Sequence, residues 1–409
     1  MRATPLWLPP RAGLTRSMRL RARQYITLAP GSTITNVFAL ESAFDEIRLV
    51  FANDRTETGW HLDGALIAPA AWIGDGVRPL TAEGAPATWV SAVPADPGLD
   101  VPPAPSPGHL GFAASAWVGL AALPPPDRSG GLPLLFVRCH LALGGRVPAY
   151  GPGDFSHPAQ WQSVDQGRLV RSAYFQGDAV RDPQASGWWA PDDYVVPIGI
   201  QYRVRRRGYS VMTVGDSLTE GLGTVAGANG FGFQACTALS SPEFPVSHVS
   251  SAWSGQSAAE FLGRGRAEFS LFAPEIVVIE TSSPNGQPAT AANYERMLAG
   301  ALALADHVER AGAMAVLKTA VPFNLREPKD GFRRAINASV RALGDDKHFA
   351  ILDADAAVSD HGTPGRTRGE FLAAGDVHLN DAGHAAIAGQ LVNLLRPFCP
   401  LRGNAANPP

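Results

Sequence analysis

The second half of the chain alternates short apolar runs with segments of helical pattern, and this alternation constrains the fold more than any other feature. The runs predicted as buried strands are 209–214, 246–252, 275–280, 313–319 and 349–353. Helices are predicted at 291–310, 332–343 and 382–395, the last capped by Asp381. Strands joined by helical crossovers form a parallel sheet. The sequence therefore predicts an α/β fold with a doubly wound, five-stranded parallel sheet in three layers and a flavodoxin-like strand order.

The region before this alternation has a different pattern. Between residues 24 and 205, short runs rich in β-formers are separated by Pro- and Gly-rich loops, and no amphipathic helix of ordinary length is evident. Many short strands with turns between them are typical of an all-β sandwich or jelly roll. We therefore predict an N-terminal extension at 1–23, a β-sandwich domain at 24–205, an α/β domain at 206–400 and a tail at 401–409.

Length and charge limit the function classes. The 409 residues suffice for two cores, and a net charge of −3 argues against nucleic-acid or anionic-membrane partners. No run reaches the roughly 18 apolar residues of a membrane span. Three widely spaced cysteines offer neither a metal-ligand spacing nor a disulfide framework. We expect a cytoplasmic protein, or one exported by a signal outside this sequence; the oligomeric state stays open.

The end of the first α/β strand carries the first candidate for chemistry. The run 211–221 passes from apolar residues to Gly215 and Asp216, and then to Ser217, which should stand at the carboxyl edge of the sheet. A hydroxyl nucleophile needs a base, and the base needs an orienting partner. His378 lies just before the last helix, at the same predicted edge, and Asp376 could orient its ring.

Hydrogen-bond donors for an oxyanion are predicted at the ends of the next two strands. Gly255 follows the second strand, where its backbone N–H could approach a substrate closely. Asn285 follows the third strand and offers a neutral side-chain amide. Each residue alone could belong to an ordinary turn. Their order along the chain gives them weight, since Ser217, Gly255, Asn285 and His378 each lie just past a strand.

With these four blocks, residues 208–397 resemble the GDSL, or SGNH, hydrolases, in which Gly215-Asp-Ser-Leu218 is the opening motif. The resemblance implies that Ser217 is the nucleophile and His378 the general base. It also implies an oxyanion hole formed by Gly255, Asn285 and the backbone N–H of Ser217. Asp216 matches a position that usually serves local structure. The resemblance implies a serine carboxylic ester hydrolase that needs no cofactor and no metal, acting on a small-molecule or glycan ester with a short acyl or O-acetyl group.

Two positions depart from the family pattern. The third block is usually Gly-x-Asn-Asp, whereas this chain has Ser283-Pro-Asn-Gly286. The family's acid usually stands three residues before the base, whereas Asp376 stands two before His378. Asp376 is our candidate for the orienting acid, and the alternative is a Ser–His dyad with a backbone carbonyl in that role.

The predicted N-terminal β domain also resembles the sandwich that precedes the catalytic domain in some of these esterases, where it flanks the cleft. Its tryptophans could form a sugar-stacking platform or could simply be core residues. They are Trp60, Trp72, Trp117, Trp161, Trp188 and Trp189.

Other functions compete with ester hydrolysis. The segment 221–226 fits a weak dinucleotide fingerprint, but the second strand lacks the acid that would hold a ribose. An acyltransferase using the same site is an alternative within enzymes. A glycan-binding protein with a degenerate hydrolase domain is the alternative outside them, and the presence of all four site residues weighs against it.

Overall fold

The protein is described by a computed structural model. It describes residues 15–19, 24–40, 44–73, 76–79, 89–119, 133–150, 169–178, 180, 193–194, 196–224, 230–241, 243–286, 288–346, 349–360, 362–363, 365–373 and 377–399. The chain divides between Arg206 and Arg207 into two compact units. The exact domain limits predicted from the sequence stay predictions.

The N-terminal unit consists of short strands. They are β1 (Thr15–Arg19), β2 (Gln24–Leu28), β3 (Ser32–Ala39), β4 (Glu46–Asn53), β5 (Trp60–Leu62), β6 (Gly64–Ile73), β7 (Gly76–Pro79), β8 (Val90–Val93), β9 (Leu99–Val101), β10 (Gly111–Ala114), β11 (Val118–Gly119), β12 (Leu134–Leu141), β13 (Gly145–Tyr150), β14 (Leu169–Gln176), β15 (Asp193–Tyr194) and β16 (Gly199–Arg203).

These strands form antiparallel sheets, as the sequence pattern predicts. One sheet runs in the order β10-β4-β16-β1, and a second in the order β14-β3-β12-β6-β7. Side chains from both sheets share one cluster of buried residues, with Phe38 of β3, Phe51 of β4, Val137 of β12 and Tyr202 of β16 among them. Burial of large apolar side chains from two sheets in one cluster is what stabilises a unit of this kind.

The second unit alternates strands and helices. The strands are β17 (Tyr209–Gly215), β18 (Val246–Ala252), β19 (Ile276–Glu280), β20 (Met314–Lys318) and β21 (Ala350–Leu352). The helices are α1 (Ser217–Glu220), α2 (Phe231–Leu239), α3 (Ala258–Phe272), α4 (Ala291–Arg310), α5 (Lys329–Asp345), α6 (Ala354–Val358) and α7 (Asp381–Leu395). The predicted helix at 291–310 is found at those residues, and the helix predicted at 332–343 begins three residues earlier.

The five strands of this unit form a parallel sheet in the order β18-β17-β19-β20-β21. Counted along the chain this order is 2-1-3-4-5, which is the flavodoxin-like order. Helices α2 and α7 pack on one face of the sheet, and α3 and α4 on the other. The predicted α/β fold, preceded by a strand-rich region of antiparallel sheets, is confirmed.

The N-cap of the last helix differs from the prediction. Helix α7 begins at Asp381, and its cap is Asn380, whose side-chain oxygen accepts a hydrogen bond of 3.0 Å from the backbone N–H of Gly383. The sequence contains two adjacent residues able to cap a helix, and Asp381 instead lies in the first turn, where a negative charge complements the helix dipole.

Candidate active site

Ser217 lies in a tight turn at the carboxyl end of the central strand. Strand β17 ends at Gly215, and Asp216 caps helix α1 by accepting a hydrogen bond of 3.1 Å from the backbone N–H of Leu218. Ser217 is therefore the first residue of a helix of only four residues. This geometry sets the serine hydroxyl at the sheet edge where ligands bind in folds of this type.

The His378 ring lies directly against this hydroxyl. Its Nε2 atom is 3.0 Å from the Ser217 Oγ atom. The backbone carbonyl of His378 accepts a hydrogen bond from the backbone N–H of Ala373, and Leu379 forms an isolated bridge with Leu372, so residues 378–379 are held against residues 372–373. A serine hydroxyl and an imidazole nitrogen at this distance can exchange a proton.

Gly223 lets the segment after α1 approach the histidine loop. Its φ is +97°, and a Cβ atom there would lie 2.9 Å from the Cβ of His378 and 2.5 Å from the carbonyl oxygen of Leu379. A larger residue would push the loop away from Ser217. The second glycine of the weak dinucleotide fingerprint, Gly223, thus has a local packing reason.

The backbone conformation at position 255 favours glycine, although a side chain there would not be crowded. Its φ is +79°, in the left-handed region, yet a Cβ atom there would meet nothing within 4 Å. Just before it, the backbone N–H of Trp253 donates to the carbonyl of Gly215, which links the ends of β17 and β18. The loop containing Gly255 is thereby attached to the loop containing Ser217.

Asn285 is fixed by the residue that caps the nucleophile helix. Its Nδ2 atom donates to Asp216 Oδ2 and to the carbonyl oxygen of Gln256, each at 3.3 Å. The Ser283 hydroxyl donates to the same Asp216 oxygen at 2.6 Å and accepts a hydrogen bond from the backbone N–H of Asn285 at 3.2 Å. Ser283 stands where the family pattern usually has Gly, and its hydroxyl joins Asp216 to Asn285.

Asp216 is fully buried beside a second carboxylate. Burial and the nearby Glu280 raise the pKa of Asp216 to about 7, although the Ser283 hydroxyl, the Leu218 N–H and the Lys318 ammonium act in the opposite direction. Buried carboxyls with a like-charged neighbour bind their proton more tightly.

Not every predicted site residue can be placed. Ser217 and His378 are in contact, Asn285 is linked to Asp216, and the loop of Gly255 is linked to Gly215, whereas Asp376 lies outside the described residues. Its predicted role as the orienting acid stays a prediction.

The second histidine of this block has a structural place. His384 is fully buried in α7, stacks on Phe231, and accepts a hydrogen bond of 3.3 Å from the Phe231 backbone N–H at Nδ1. Burial lowers the pKa of His384 to about 4. The ring is therefore a neutral packing element near neutral pH.

Three buried polar residues under the Ser217 turn were missed by the sequence analysis. They are Thr219, Lys318 and Glu280, and the Glu280 carboxylate accepts hydrogen bonds from the other two. Two of them could have been predicted from their positions in the sequence. Glu280 and Lys318 are each a charged residue at the end of an otherwise apolar strand.

The tryptophans predicted either as a platform or as core are only partly described. Trp60 is buried in the N-terminal core, and its indole N–H donates to the carbonyl of Ala52. The guanidinium groups of Arg48 and Arg203 lie against the Trp117 ring, at 4.9 and 4.4 Å from its centre. The side chains of Trp72, Trp161, Trp188 and Trp189 lie outside the described residues.

The described residues lack two features of other classes of protein. Among them, no group of three or more His, Cys, Asp or Glu side chains is arranged to hold a metal ion. Within the same ranges, no helix has the length and apolar character needed to cross a bilayer.

One family model matches the segment that contains the candidate active site. The model of the GDSL-like lipase/acylhydrolase family matches residues 213–386, a range that includes Ser217, Gly255, Asn285 and His378. No curated protein matches the sequence.

Several solved structures are similar to slightly less than half of the chain. A lipase/acylhydrolase from Enterococcus faecalis is 16% identical with a TM-score of 0.37, over 47% of this chain and 97% of its own. The psychrotrophic esterase EstA from Pseudoalteromonas sp. is 15% identical with a TM-score of 0.37, over 46% and 97%. A mutant of Axe2, an acetyl-xylooligosaccharide esterase from Geobacillus Stearmophilus, is 18% identical with a TM-score of 0.37, over 46% and 94%.

The family match and the motif residues concern the same segment of the chain. Residues 213–386 therefore match the GDSL-like lipase/acylhydrolase family, and the four motif residues lie within them.

Proposed function

We propose that the protein is a serine carboxylic ester hydrolase that works through an acyl-enzyme. The observation that carries the proposal is the distance of 3.0 Å between Ser217 Oγ and His378 Nε2. An alcohol is a weak nucleophile at neutral pH, and a neutral imidazole within hydrogen-bond reach can accept its proton as it attacks.

In the proposed first step, Ser217 Oγ attacks the ester carbonyl carbon and its proton moves to His378 Nε2. The tetrahedral oxyanion accepts hydrogen bonds from the backbone N–H groups of Ser217 and Gly255 and from the Asn285 amide. Asn285 Nδ2 donates to Asp216 Oδ2 and to the Gln256 carbonyl at 3.3 Å each, which fixes the position of the amide before a substrate binds. Donors fixed before the reaction stabilise charge without reorganising, which is why such sites are effective.

In the following steps, His378 returns the proton to the leaving alkoxide, and the alcohol departs. Water then attacks the acyl-enzyme, with His378 as base again, and the acid product leaves with Ser217 restored. Asp376 is the proposed orienting acid for the His378 ring. No cofactor takes part in this scheme.

The substrate that we propose is an ester with a short acyl chain, with O-acetyl groups on carbohydrate as the natural target. The support is the family resemblance of the four motif blocks. The deciding measurement is an acyl-chain series of p-nitrophenyl esters from acetate to decanoate, beside acetate release from acetylated xylo-oligosaccharides. Rates highest for decanoate would contradict the short-chain proposal.

Acyl transfer is the second candidate, because an acyl-enzyme can be attacked by a sugar hydroxyl as readily as by water. Product analysis with an added alcohol acceptor separates the two, since hydrolysis yields free acid whatever the acceptor concentration. A protein that turns over none of these esters would instead favour a non-catalytic glycan-binding role.

A further inference from the structure

Glu280 lies directly beneath the turn that carries Ser217. It is the last residue of β19, and its Oε2 atom accepts two hydrogen bonds from the turn. One comes from the backbone N–H of Asp216 at 3.1 Å, and the other from the Thr219 hydroxyl at 2.7 Å. A single carboxylate oxygen thus holds the residue before Ser217 and the residue two positions after it.

Lys318 holds this carboxylate from the neighbouring strand. It is the last residue of β20 and the register partner of Glu280, and its Nζ atom donates to Glu280 Oε1 at 2.8 Å. The exposed fraction is 0% for the Glu280 side chain and 1% for that of Lys318. One oxygen of Glu280 therefore accepts hydrogen bonds from the turn, and the other accepts a hydrogen bond from the ammonium group.

Gly215 makes this close approach possible. A Cβ atom at Gly215 would lie 2.3 Å from Glu280 Oε2 and 2.4 Å from Thr219 Oγ1. The first residue of the motif is thus the one that leaves room for the carboxylate under the turn. Neither Glu280 nor Lys318 belongs to the four family blocks.

A buried ion pair is a costly way to stabilise a central strand. Well-packed apolar residues of similar volume often stabilise a protein equally well or better, while loss of one partner leaves an uncompensated buried charge. Here the remaining hydrogen-bonding capacity of the carboxylate is directed at one turn, so the pair has a use that an apolar pair could not supply.

We propose that Glu280 and Lys318 are positioning residues for the reaction at Ser217. Glu280 holds the backbone of residues 216–219, and Lys318 keeps the Glu280 carboxylate aimed at it. This rests on the proposed function. Neither side chain touches the reacting atoms.

The turn connects several groups of the proposed mechanism. It supplies the Ser217 hydroxyl and the Ser217 N–H, and through Asp216 it fixes the Asn285 amide. A tilt of the turn would displace these groups together relative to His378. Errors of about 1 Å in such geometry can cost about 100-fold in rate.

The test compares kcat per active site in variants of these residues with that of the wild type, on p-nitrophenyl acetate. The concentration of active sites is measured by titration with a p-nitrophenyl phosphonate that labels Ser217, so that a smaller folded fraction does not count as slower catalysis. Glu280→Ala should lower kcat per site by about 100-fold with KM nearly unchanged. Thr219→Val, which removes one of the two bonds with little change in volume, should lower it by about 10-fold.

The double variant Glu280→Gln/Lys318→Met separates positioning from charge. The side-chain carbonyl oxygen of the introduced glutamine can still accept both bonds from the turn, and the methionine fills the space of the lysine without its charge. We expect this variant to recover part of the kcat lost in Glu280→Ala, because the turn regains its acceptor but loses the alignment that Lys318 supplies. The control is Arg333→Met, which breaks two other buried ion pairs, with Asp330 and with Asp355, and should lower stability while leaving kcat per site unchanged.

Two results would overturn the positioning roles. One is wild-type kcat per site in both Glu280→Ala and Thr219→Val, and the other is a double variant as slow as Glu280→Ala. A wild-type protein that neither turns over the ester nor takes up the phosphonate refutes the proposed function instead, so the two failures are distinguishable.

Discussion

The His378 Nε2 atom lies 3.0 Å from the Ser217 hydroxyl oxygen, although 161 positions separate the two residues in the chain. The contact joins the end of the central strand to the loop before the last helix.

If the contact between Ser217 and His378 supports catalysis, each partner is needed in every turnover. Ser217→Ala and His378→Ala should then each reduce ester turnover at least ~1,000-fold, on the scale known for such pairs. The measurement is kcat on p-nitrophenyl acetate, with circular dichroism to verify folding. Near wild-type kcat in either variant would remove the mechanism.

The Asn285 amide gives a second prediction. It is aimed by Asp216 and by the Gln256 carbonyl, so Asn285→Ala deletes a fixed donor. Loss of one oxyanion donor typically costs about 3 kcal/mol of barrier, or about 100- to 1,000-fold in kcat. The matched control is Asn393→Ala, at an exposed position of α7, which should leave kcat unchanged. Equal rates for the two variants would exclude Asn285 from the oxyanion hole.

The Asp216 carboxyl gives a pH prediction for stability. Its pKa is about 7 in the folded protein, against 3.8 for an ordinary aspartate, so the folded state holds a proton that the unfolded chain has released. Its contribution to the free energy of unfolding is full below about pH 4 and is lost as the pH rises to about 7. The slope from this one group is at most about 1.4 kcal/mol per pH unit.

The measurement for Asp216 is urea unfolding of the wild type and of Asp216→Asn between about pH 4 and pH 8, the interval in which this proton is released. The variant lacks this proton, so its stability should fall less over that interval. The difference between the two curves isolates Asp216 from other titrating groups. Parallel curves would show that Asp216 titrates normally.

Replacement by alanine should have opposite effects on stability at two glycines that lie in helices. In α3, a Cβ atom at Gly265 would lie 2.5 Å from Val214 Cγ1, just before the nucleophile turn, so Gly265→Ala should destabilise by about 1–3 kcal/mol. In α7, a Cβ atom at Gly389 would meet nothing within 4 Å, so Gly389→Ala should stabilise by up to about 1 kcal/mol. Thermal unfolding measures both, and a lower Tm for Gly389→Ala would contradict the prediction.

Asp376 gives a prediction that distinguishes a triad from a dyad. If its carboxylate orients His378, Asp376→Asn should keep the fold and lower kcat by orders of magnitude, because the ring would lose its tautomer and its imidazolium stabilisation. The measurement is kcat on p-nitrophenyl acetate beside the wild type. Wild-type kcat in the variant would favour the dyad, with a backbone carbonyl orienting the ring.

The sequence by itself determined the α/β fold, the strand-rich region before it, and the candidate residues Ser217, Gly255, Asn285 and His378. Strand and helix patterns are local, and motif spacing records which residues follow a strand, so both can be read without coordinates. The Asn380 cap was missed because Asn380 and Asp381 can both cap a helix. Only the backbone conformation shows that Asn380 is the cap and that Asp381 is the first helical residue.

Tertiary structure decided what lies under and beside the nucleophile turn. The pairing of Glu280 with Lys318, the hydroxyl of Ser283 between Asp216 and Asn285, and the raised pKa of Asp216 depend on strands and loops that meet only in the folded sheet. The energy of a buried charge depends on distances and burial, and neither can be inferred from the order of residues along the chain.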